Sequence, residues 1–319
     1  MGRQMIANLS LDLDNQWSYM KTHGDEGWQE FPSYLDSVVP YILETLATYQ
    51  LNITFFVVGR DAELEKNHAA LTKIAQAGHE IGNHSFYHEP WLQRYSNEQL
   101  EEEFDKAEAA IATFTDQKLI GFRGPGFCLS KEILELLQRR GYQYDGSTFP
   151  TFIGPLARAY YFFNASLSSE EQEDRQELFG SIRDGLRRLK PYRWALANGP
   201  MLEFPVTTIP LLRSPFHLSY LLFLLQYSEW LAITYFYLAL SLCKLTRTPP
   251  SLLLHPLDFL GGDEIAELRY FPGMKVAGHK KRQFVSKVLK IYSQWFDVVS
   301  MGRHAELLAT QKLPTKHWK

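Results

Sequence analysis

Two histidines and two aspartates in this sequence have the types and spacing of a metal site. His84 and His88 lie four residues apart within residues 82–90, Gly-Asn-His-Ser-Phe-Tyr-His-Glu-Pro, so a single turn of chain can place both imidazoles on one side. Neutral imidazole is a common ligand for zinc and similar ions. Asp12 and Asp14 are separated by one leucine in a strand-like stretch, and alternate strand residues face the same way. Two carboxylates so close repel each other, which indicates a metal or another cationic partner.

Three more ionisable residues follow short apolar runs, at points where predicted strands end. They are Arg123, Asp145 and His255. In β/α barrels the working residues collect at the C-terminal ends of the strands. Taken singly, Arg123 and Asp145 also fit a structural ion pair, and His255 fits a core histidine with a satisfied hydrogen bond. Five strand ends that carry ionisable residues favour an active site over that structural interpretation.

Strand-like and helix-like stretches alternate along the chain, which is typical of a parallel sheet or a β/α barrel. We predict strands at residues 5–13, 52–58, 79–83, 119–122, 142–145, 202–208, 251–255 and 297–300. We predict helices at residues 33–50, 61–77, 96–114, 130–140 and 278–296. The helix at 96–114 starts with four acidic residues: Glu98, Glu101, Glu102 and Glu103. We interpret these as a solvated face that complements the helix dipole.

Two regions interrupt this alternation. Residues 150–200 form an insertion with little strand signal and a charged helix at 168–189. Residues 216–243 are apolar and long enough to cross a bilayer. However, Gln226 and Glu229 lie near the centre, and an acid in mid-bilayer costs about 3 kcal/mol. The favoured interpretation is a buried helix or helical hairpin, the second is a surface that touches a membrane or a lipid-linked glycan, and the third is a true span.

Composition restricts the class of protein. A chain of 319 residues with 45% hydrophobic residues can bury the core of one large domain. The net charge of −3, without a long basic run, gives no sign of a nucleic-acid partner. Only Cys128 and Cys243 are present, which excludes a disulfide framework and favours a reducing compartment. We see no secretory signal, so we expect a cytoplasmic protein, with membrane association through residues 216–243 as the open alternative.

The motifs, in chain order, resemble those of the polysaccharide deacetylase family (carbohydrate esterase family 4, the NodB-homology domain). They are Asp-x-Asp, His-x-x-x-His, Arg-x-Pro-Gly, Tyr-Asp and Leu-Leu-His, and the resemblance covers roughly residues 5–150 and 200–300. It implies an α/β fold, a distorted (β/α)7-type barrel with a helical insertion, as a single catalytic domain over residues 1–319. It also implies one divalent metal ion, usually zinc, and the hydrolytic removal of acetyl groups from N-acetylated sugars.

The resemblance also implies roles for individual residues. One carboxylate and two imidazoles match the metal triad: Asp14, His84 and His88. Four more positions match catalytic residues: Asp12 as general base, Arg123 as the residue that holds the base, His255 as general acid and Asp145 as its orienting partner. The expected partner is an N-acetylated glycan, with no nucleic acid.

Two departures from the family pattern leave alternatives open. Many members have adjacent aspartates, whereas Leu13 separates the pair here, as in a branch with some peptidoglycan deacetylases and with amide-cleaving relatives acting on cyclic imides. Which aspartate binds the metal therefore stays open. Gly126 stands where many members have a tyrosine whose backbone amide helps to bind the oxyanion, and glycine keeps that amide. The alternative functions are a hydrolase of a non-sugar cyclic amide or imide and a non-catalytic carbohydrate-binding protein.

Overall fold

The fold is a large, mostly parallel sheet whose strands alternate with helices. The structure, a computed structural model, describes residues 4–154 and 184–318. The strands in chain order are β1 Ile6–Asp12, β2 Thr54–Val57, β3 Glu80–Asn83, β4 Gly121–Phe122, β5 Tyr144–Asp145, β6 Tyr192–Leu196, β7 Gly199–Glu203, β8 Ser251–Leu254, β9 Asp297–Val299 and β10 Thr315–His317. The α-helices are α1 Gln16–His23, α2 Leu35–Thr48, α3 Gly59–Glu63, α4 Glu65–Gln76, α5 Asn97–Ile111, α6 Lys131–Arg139, α7 Leu218–Leu225, α8 Glu229–Leu245, α9 Gly278–Trp295 and α10 Met301–Leu308.

The strand order is that of an opened barrel. The sheet runs β10-β6-β7-β5-β4-β3-β2-β1-β8, and β9 pairs with β1. The β6–β7 pair is antiparallel, and the ladders from β7 through β5 to β1 and β8 are parallel. Just after β7, the Thr207 amide donates to the Ser251 carbonyl at 3.1 Å, and the Ser251 amide donates to the Thr207 hydroxyl at 2.7 Å. These two bonds join the segment after β7 to β8, and the predicted α/β class of a distorted barrel is confirmed.

Side chains of β1 alternate between two environments. Leu9 and Leu11 lie in the main hydrophobic core, together with apolar residues of the helices. Asn8, Ser10 and Asp12 point the other way and are also buried. A strand buried on both faces is usual in a parallel sheet. The alternation therefore places Asp12 among buried polar groups inside the barrel.

Several elements differ from the sequence prediction. Helices α1 and α10 and strand β10 lie in stretches for which we predicted nothing, and the helix expected at 61–77 is split into α3 and α4. Strand β6 lies inside the insertion at 150–200, which we predicted to have little strand. The alternation of buried and less buried side chains in β6 covers only five residues, of which Tyr192 and Trp194 are buried. The predicted strand at 202–208 is the hairpin partner β7, which starts earlier. Most of the charged helix predicted at 168–189 lies outside the described residues.

The apolar segment at 216–243 forms two helices, α7 and α8. Its buried residues join the main core: Phe216, Leu218, Leu221, Leu222, Ala232, Phe236, Ala239, Leu240 and Cys243. The structure thus agrees with the favoured interpretation of a helical hairpin packed on the barrel. No helix in the described part of the chain combines the length and the hydropathy of a membrane span.

Candidate active site

The His84–His88 pair lies on a loop that follows β3. The His84 amide still donates to the Val57 carbonyl at 2.9 Å, as if the strand continued. Ser85 and His88 then adopt left-handed backbone conformations, with φ of 62° and 53°. Such conformations are uncommon outside glycine and are found where the surrounding structure enforces them. Two left-handed residues, rather than one helical turn, therefore bring the two imidazoles together.

Glu103 on α5 holds this loop in place. Its Oε1 accepts the backbone N–H groups of Phe86 and Tyr87, each at 2.8 Å. Glu103 is only 2% exposed, whereas the side chain of its neighbour Glu102 is 66% exposed. The interpretation of the acidic run as a solvated face is therefore wrong for Glu103. A carboxylate shared by two loop amides satisfies donors that would otherwise be buried without partners.

Asp14, His84 and His88 form a compact donor set. Asp14 Oδ1 lies 3.3 Å from His84 Nε2 and 3.1 Å from His88 Nε2. One donor atom from each of the three residues lies within 4.8 Å of the others. Tetrahedral zinc with bonds of about 2.0–2.1 Å separates its ligand atoms by about 3.3 Å, so the donor set fits such an ion. This cluster contains Asp14 and not Asp12, which supports Asp14 as the ligand.

The tautomer of His84 suits a ligand. Its Nδ1 lies 2.6 Å from the carbonyl oxygen of Arg123, and a carbonyl can only accept. Nδ1 therefore carries a hydrogen, and Nε2, which faces Asp14 at 3.3 Å, is the nitrogen that would bind a metal. Metal-binding histidines commonly donate their second nitrogen to a carbonyl or carboxylate in this way.

Charge inside the cluster favours ionised Asp14. Burial alone would raise the pKa of Asp14, but the positive charge and hydrogen bonds of His88 and His84 outweigh it and hold that pKa well below its ordinary value. Burial likewise would lower the pKa of His84, and the negative charges of Asp12 and Asp14 raise it instead. The cluster thus combines an ionised carboxylate with two imidazoles, a donor set that suits a divalent cation.

Arg123 holds Asp12 beside this cluster. Its Nη1 donates to Asp12 Oδ1 at 2.6 Å and to Ser10 Oγ at 2.8 Å, and its Nε donates to the Gly146 carbonyl at 2.9 Å. Arg123 is completely buried, and its guanidinium lies 4.4 Å from the ring centroid of Phe56. A buried charge needs this number of partners. The predicted pairing of Arg123 with Asp12 is therefore present in the structure.

His255 lies after β8 but contacts a different partner from the one predicted. Its Nδ1 lies 3.1 Å from Ser219 Oγ on α7. The described contacts of Asp145 go instead to the amide of Ser147 at 2.9 Å and to its hydroxyl at 2.7 Å. The expectation that Asp145 directly orients His255 is thus corrected, because Asp145 bonds along its own loop while a serine from the apolar hairpin reaches His255.

Asp145 shares its site with a carboxyl group that the sequence analysis missed. Glu203 ends β7, is completely buried, and accepts from Thr148 N at 3.0 Å and from Trp194 Nε1 at 2.8 Å. Burial, together with the charge and hydrogen bond of Asp145, raises the pKa of Glu203 well above its ordinary value. Burial raises the pKa of Asp145 as well, so the protonated form is favoured at both carboxyl groups, most strongly at Glu203. A glutamate within the apolar run Met-Leu-Glu-Phe was the signal that could have identified it.

The fold and this site define a parallel β/α protein with a candidate metal centre at its strand ends. The profile described as polysaccharide deacetylase matches residues 24–144, which include His84, His88 and Arg123. The solved structure of a Mycobacterium smegmatis protein assigned to the polysaccharide deacetylases has a TM-score of 0.63 at 19% identity, covering 100% of this chain and 95% of that chain. At that identity, the likeness shows the fold alone.

Curated relatives carry peptidoglycan deacetylase names. The peptidoglycan-N-acetylmuramic acid deacetylase PdaA of Bacillus subtilis is 32% identical over 111 residues, which are 34% of this chain and 41% of that protein. The peptidoglycan-N-acetylglucosamine deacetylase of Bacillus cereus is 28% identical over 33% of this chain and 47% of its own length. The peptidoglycan deacetylase of Helicobacter pylori is 25% identical over 64% of this chain and 70% of that protein. Residues 24–144 of the chain thus match the polysaccharide deacetylase family, and the chain spans less than half the length of the first two relatives.

Proposed function

We propose that this protein is a metal-dependent hydrolase, one catalytic domain that removes N-acetyl groups from a glycan. The observation that carries the proposal is the juxtaposition of two sites. The donor atoms of Asp14, His84 and His88 lie within 4.8 Å of one another, and a second aspartate, Asp12, lies beside them in an ion pair with buried Arg123. One carboxylate is thus available for binding a metal and another for accepting a proton.

The triad would hold the ion, and Asp12 would act as the base. A divalent ion bound there, most commonly zinc in this family, supplies a Lewis acid that polarises the substrate carbonyl and acidifies water. Asp12 would accept the proton as water attacks the acetyl carbon, because the guanidinium of Arg123 holds its carboxylate in place at 2.6 Å. The Gly126 amide is the candidate donor to the developing oxyanion. Its backbone is left-handed, with φ of 59°, and an added Cβ would lie 2.9 Å from Pro90 Cβ.

His255 would serve as the general acid. When protonated, it donates to the leaving amine as the tetrahedral intermediate collapses. It lies in the loop after β8, a strand that pairs with β1, which carries Asp12. Acid and base therefore come from neighbouring strands, an arrangement that is usual for catalytic residues at the mouth of a barrel.

Acetate release tests the proposal. Purified protein would be incubated with chitooligosaccharides and with peptidoglycan, after treatment with a chelator and after addition of zinc, cobalt or manganese. We expect acetate release that the chelator removes and that one of these ions restores. The names of the relatives support peptidoglycan as the first polymer to try. Acetate release unaffected by the chelator would contradict the metal-dependent mechanism.

The same panel separates the two alternatives. The Asp-x-Asp spacing, with Leu13 between the aspartates, keeps a cyclic imide or amide in the panel. Ring opening of such a compound, without acetate release from any glycan, would replace the proposed substrate class. Glycan binding without turnover of any compound, in protein with one bound ion, would identify a non-catalytic member.

The outer face of α8 supports peripheral lipid contact as a second, separate proposal. Trp230 is 76% exposed and Leu245 is 78% exposed, and Tyr237 and Leu238 lie on the same face. Aromatic and apolar side chains of this kind favour membrane–water boundaries. Co-flotation of wild type with liposomes, lost when Trp230, Leu238 and Leu245 are changed to Ser, would support the contact. Failure of wild type to float at every lipid composition would refute it.

A further inference from the structure

We propose that Ser219 and Asp258 form a relay that positions His255 for its role as general acid. This inference rests on the proposed function and concerns the acid side of the site. Because Ser219 lies on α7, the relay makes the apolar hairpin the source of a positioning residue for the active site. Neither residue touches substrate in this proposal, so both are positioning residues.

The relay is a chain of two hydrogen bonds. His255 Nδ1 lies 3.1 Å from Ser219 Oγ, and Ser219 Oγ donates to Asp258 Oδ1 at 2.8 Å. Since the hydroxyl has one hydrogen and gives it to the carboxylate, its lone pair must accept from Nδ1–H of His255. The Ser219 hydroxyl therefore favours the tautomer with a hydrogen on Nδ1, in competition with the backbone N–H of Asp258, which also faces the His255 side chain. Nε2 is then the nitrogen that gains and loses the catalytic proton.

Asp258 anchors the backbone of the same histidine. Its second oxygen, Oδ2, accepts the N–H of His255 at 2.8 Å. One carboxylate therefore holds the main chain of His255 directly and its ring through Ser219. Asp258 is 1% exposed, so its position is set by packing rather than by solvent. A buried carboxylate with two such donors holds the ring of His255 in one orientation through the hydroxyl.

Other charged or titratable groups around His255 do not replace this relay. The ring of His217 lies 6.4 Å from that of His255, and burial lowers the pKa of His217 to about 3, so it stays neutral. Lys281 and Tyr19 lie near enough to Asp258 for its negative charge to favour the protonated form of each. Lys281 donates to the Leu257 carbonyl at 2.8 Å, next to Asp258 in the chain.

Kinetics of Ser219 variants test the relay. Ser219→Ala should lower kcat about tenfold, a part of the ~10²–10⁴-fold that general acid–base catalysis contributes. It should leave KM and metal content unchanged and move the alkaline limb of the pH–rate profile to lower pH. Ser219→Thr, which keeps a hydroxyl, should restore most of kcat. Ser241→Ala, on the exposed face of α8, is the matched control and should behave as wild type. An unchanged pH profile and kcat in Ser219→Ala would overturn the proposal.

A spectroscopic test does not depend on the substrate. In ¹⁵N spectra of histidine-labelled protein, neutral His255 should show its hydrogen on Nδ1 in wild type and in Ser219→Thr. In Ser219→Ala it should shift toward Nε2–H, the tautomer usually preferred without such a partner. If the tautomer is the same in all three proteins, the relay is wrong. If it changes as expected but no N-acetylated glycan is hydrolysed, the relay stands and the proposed function fails.

Discussion

Arg123 binds Asp12 through its side chain and His84 through its main chain. The guanidinium Nη1 lies 2.6 Å from Asp12 Oδ1, and the carbonyl oxygen lies 2.6 Å from His84 Nδ1. One residue after β4 therefore fixes both the candidate base on β1 and a candidate metal ligand after β3. Because the same residue sets both contacts, the separation between metal and base depends on the packing of β1, β2, β3 and β4, which are consecutive in the sheet.

We expect His84→Ala and His88→Ala to abolish tight binding of one divalent ion per chain. Each variant removes one of the three donor atoms that lie within 4.8 Å of one another. Elemental analysis after dialysis against zinc would measure the content. His279→Ala, at an exposed position on α9, is the control and should keep the ion. Full occupancy in both cluster variants would mean that the ion binds elsewhere.

Asp12→Asn should keep the metal and lose turnover by about 10²–10⁴-fold, the usual contribution of a general base. The amide oxygen can still accept from Arg123, so the fold is retained, but an amide does not take the proton from water. Acetate release and metal content, measured on the same sample, check both parts. If the metal is lost instead, Asp12 rather than Asp14 is the ligand.

Glu103→Ala should weaken metal binding by about tenfold, within the range found for residues that support metal ligands. The change leaves the amides of Phe86 and Tyr87 without their shared acceptor, so the loop between the two histidines loses its support. Titration with zinc in a competing chelator gives the affinity. The neighbouring Glu102→Ala, at an exposed position, should bind zinc like wild type. Equal affinities for the two variants would show that the loop holds its shape without Glu103.

Asp61 should make the stability of the metal-free protein depend on pH. This fully buried carboxylate accepts from Asn15 Nδ2 at 2.7 Å and from Trp17 Nε1 at 2.9 Å, and burial raises its pKa from 3.8 to about 7. Since the folded state binds this proton more tightly than the unfolded state, the stabilisation is complete below about pH 4 and is lost as the pH rises toward 7.

The amide introduced by Asp61→Asn cannot ionise, so the stability of this variant should not fall over that pH range. From pH 5 to pH 8, the free energy of unfolding of wild type should fall, relative to that of Asp61→Asn, by on the order of 2–3 kcal/mol. Urea denaturation at both pH values measures the difference. Asp36→Asn, at an exposed position on α2, should follow wild type. A constant difference between Asp61→Asn and wild type across this range would show that Asp61 is ionised throughout.

The sequence by itself determined the parallel β/α fold and the strand ends at which chemistry is concentrated. Asp12, Asp14, His84, His88 and Arg123 were identified by motif. The residues within each motif lie close together in the sequence. A parallel sheet also brings the C-terminal ends of its strands to one edge, and this does not depend on how the side chains pack. The structure gives Arg123 its predicted contact with Asp12, and a second contact with His84 that the sequence did not reveal.

Only the tertiary structure decided which groups support those residues. Glu103 is a loop acceptor because α5 packs its fourth acidic residue inward, which a run of glutamates does not reveal. Asp145 pairs with Glu203 because β5 lies beside β7, at the register Asp145–Glu203. His255 meets Ser219 across 36 residues because α7 folds back over β8. Such contacts depend on how distant elements pack against one another, and side-chain type and local spacing do not encode that packing.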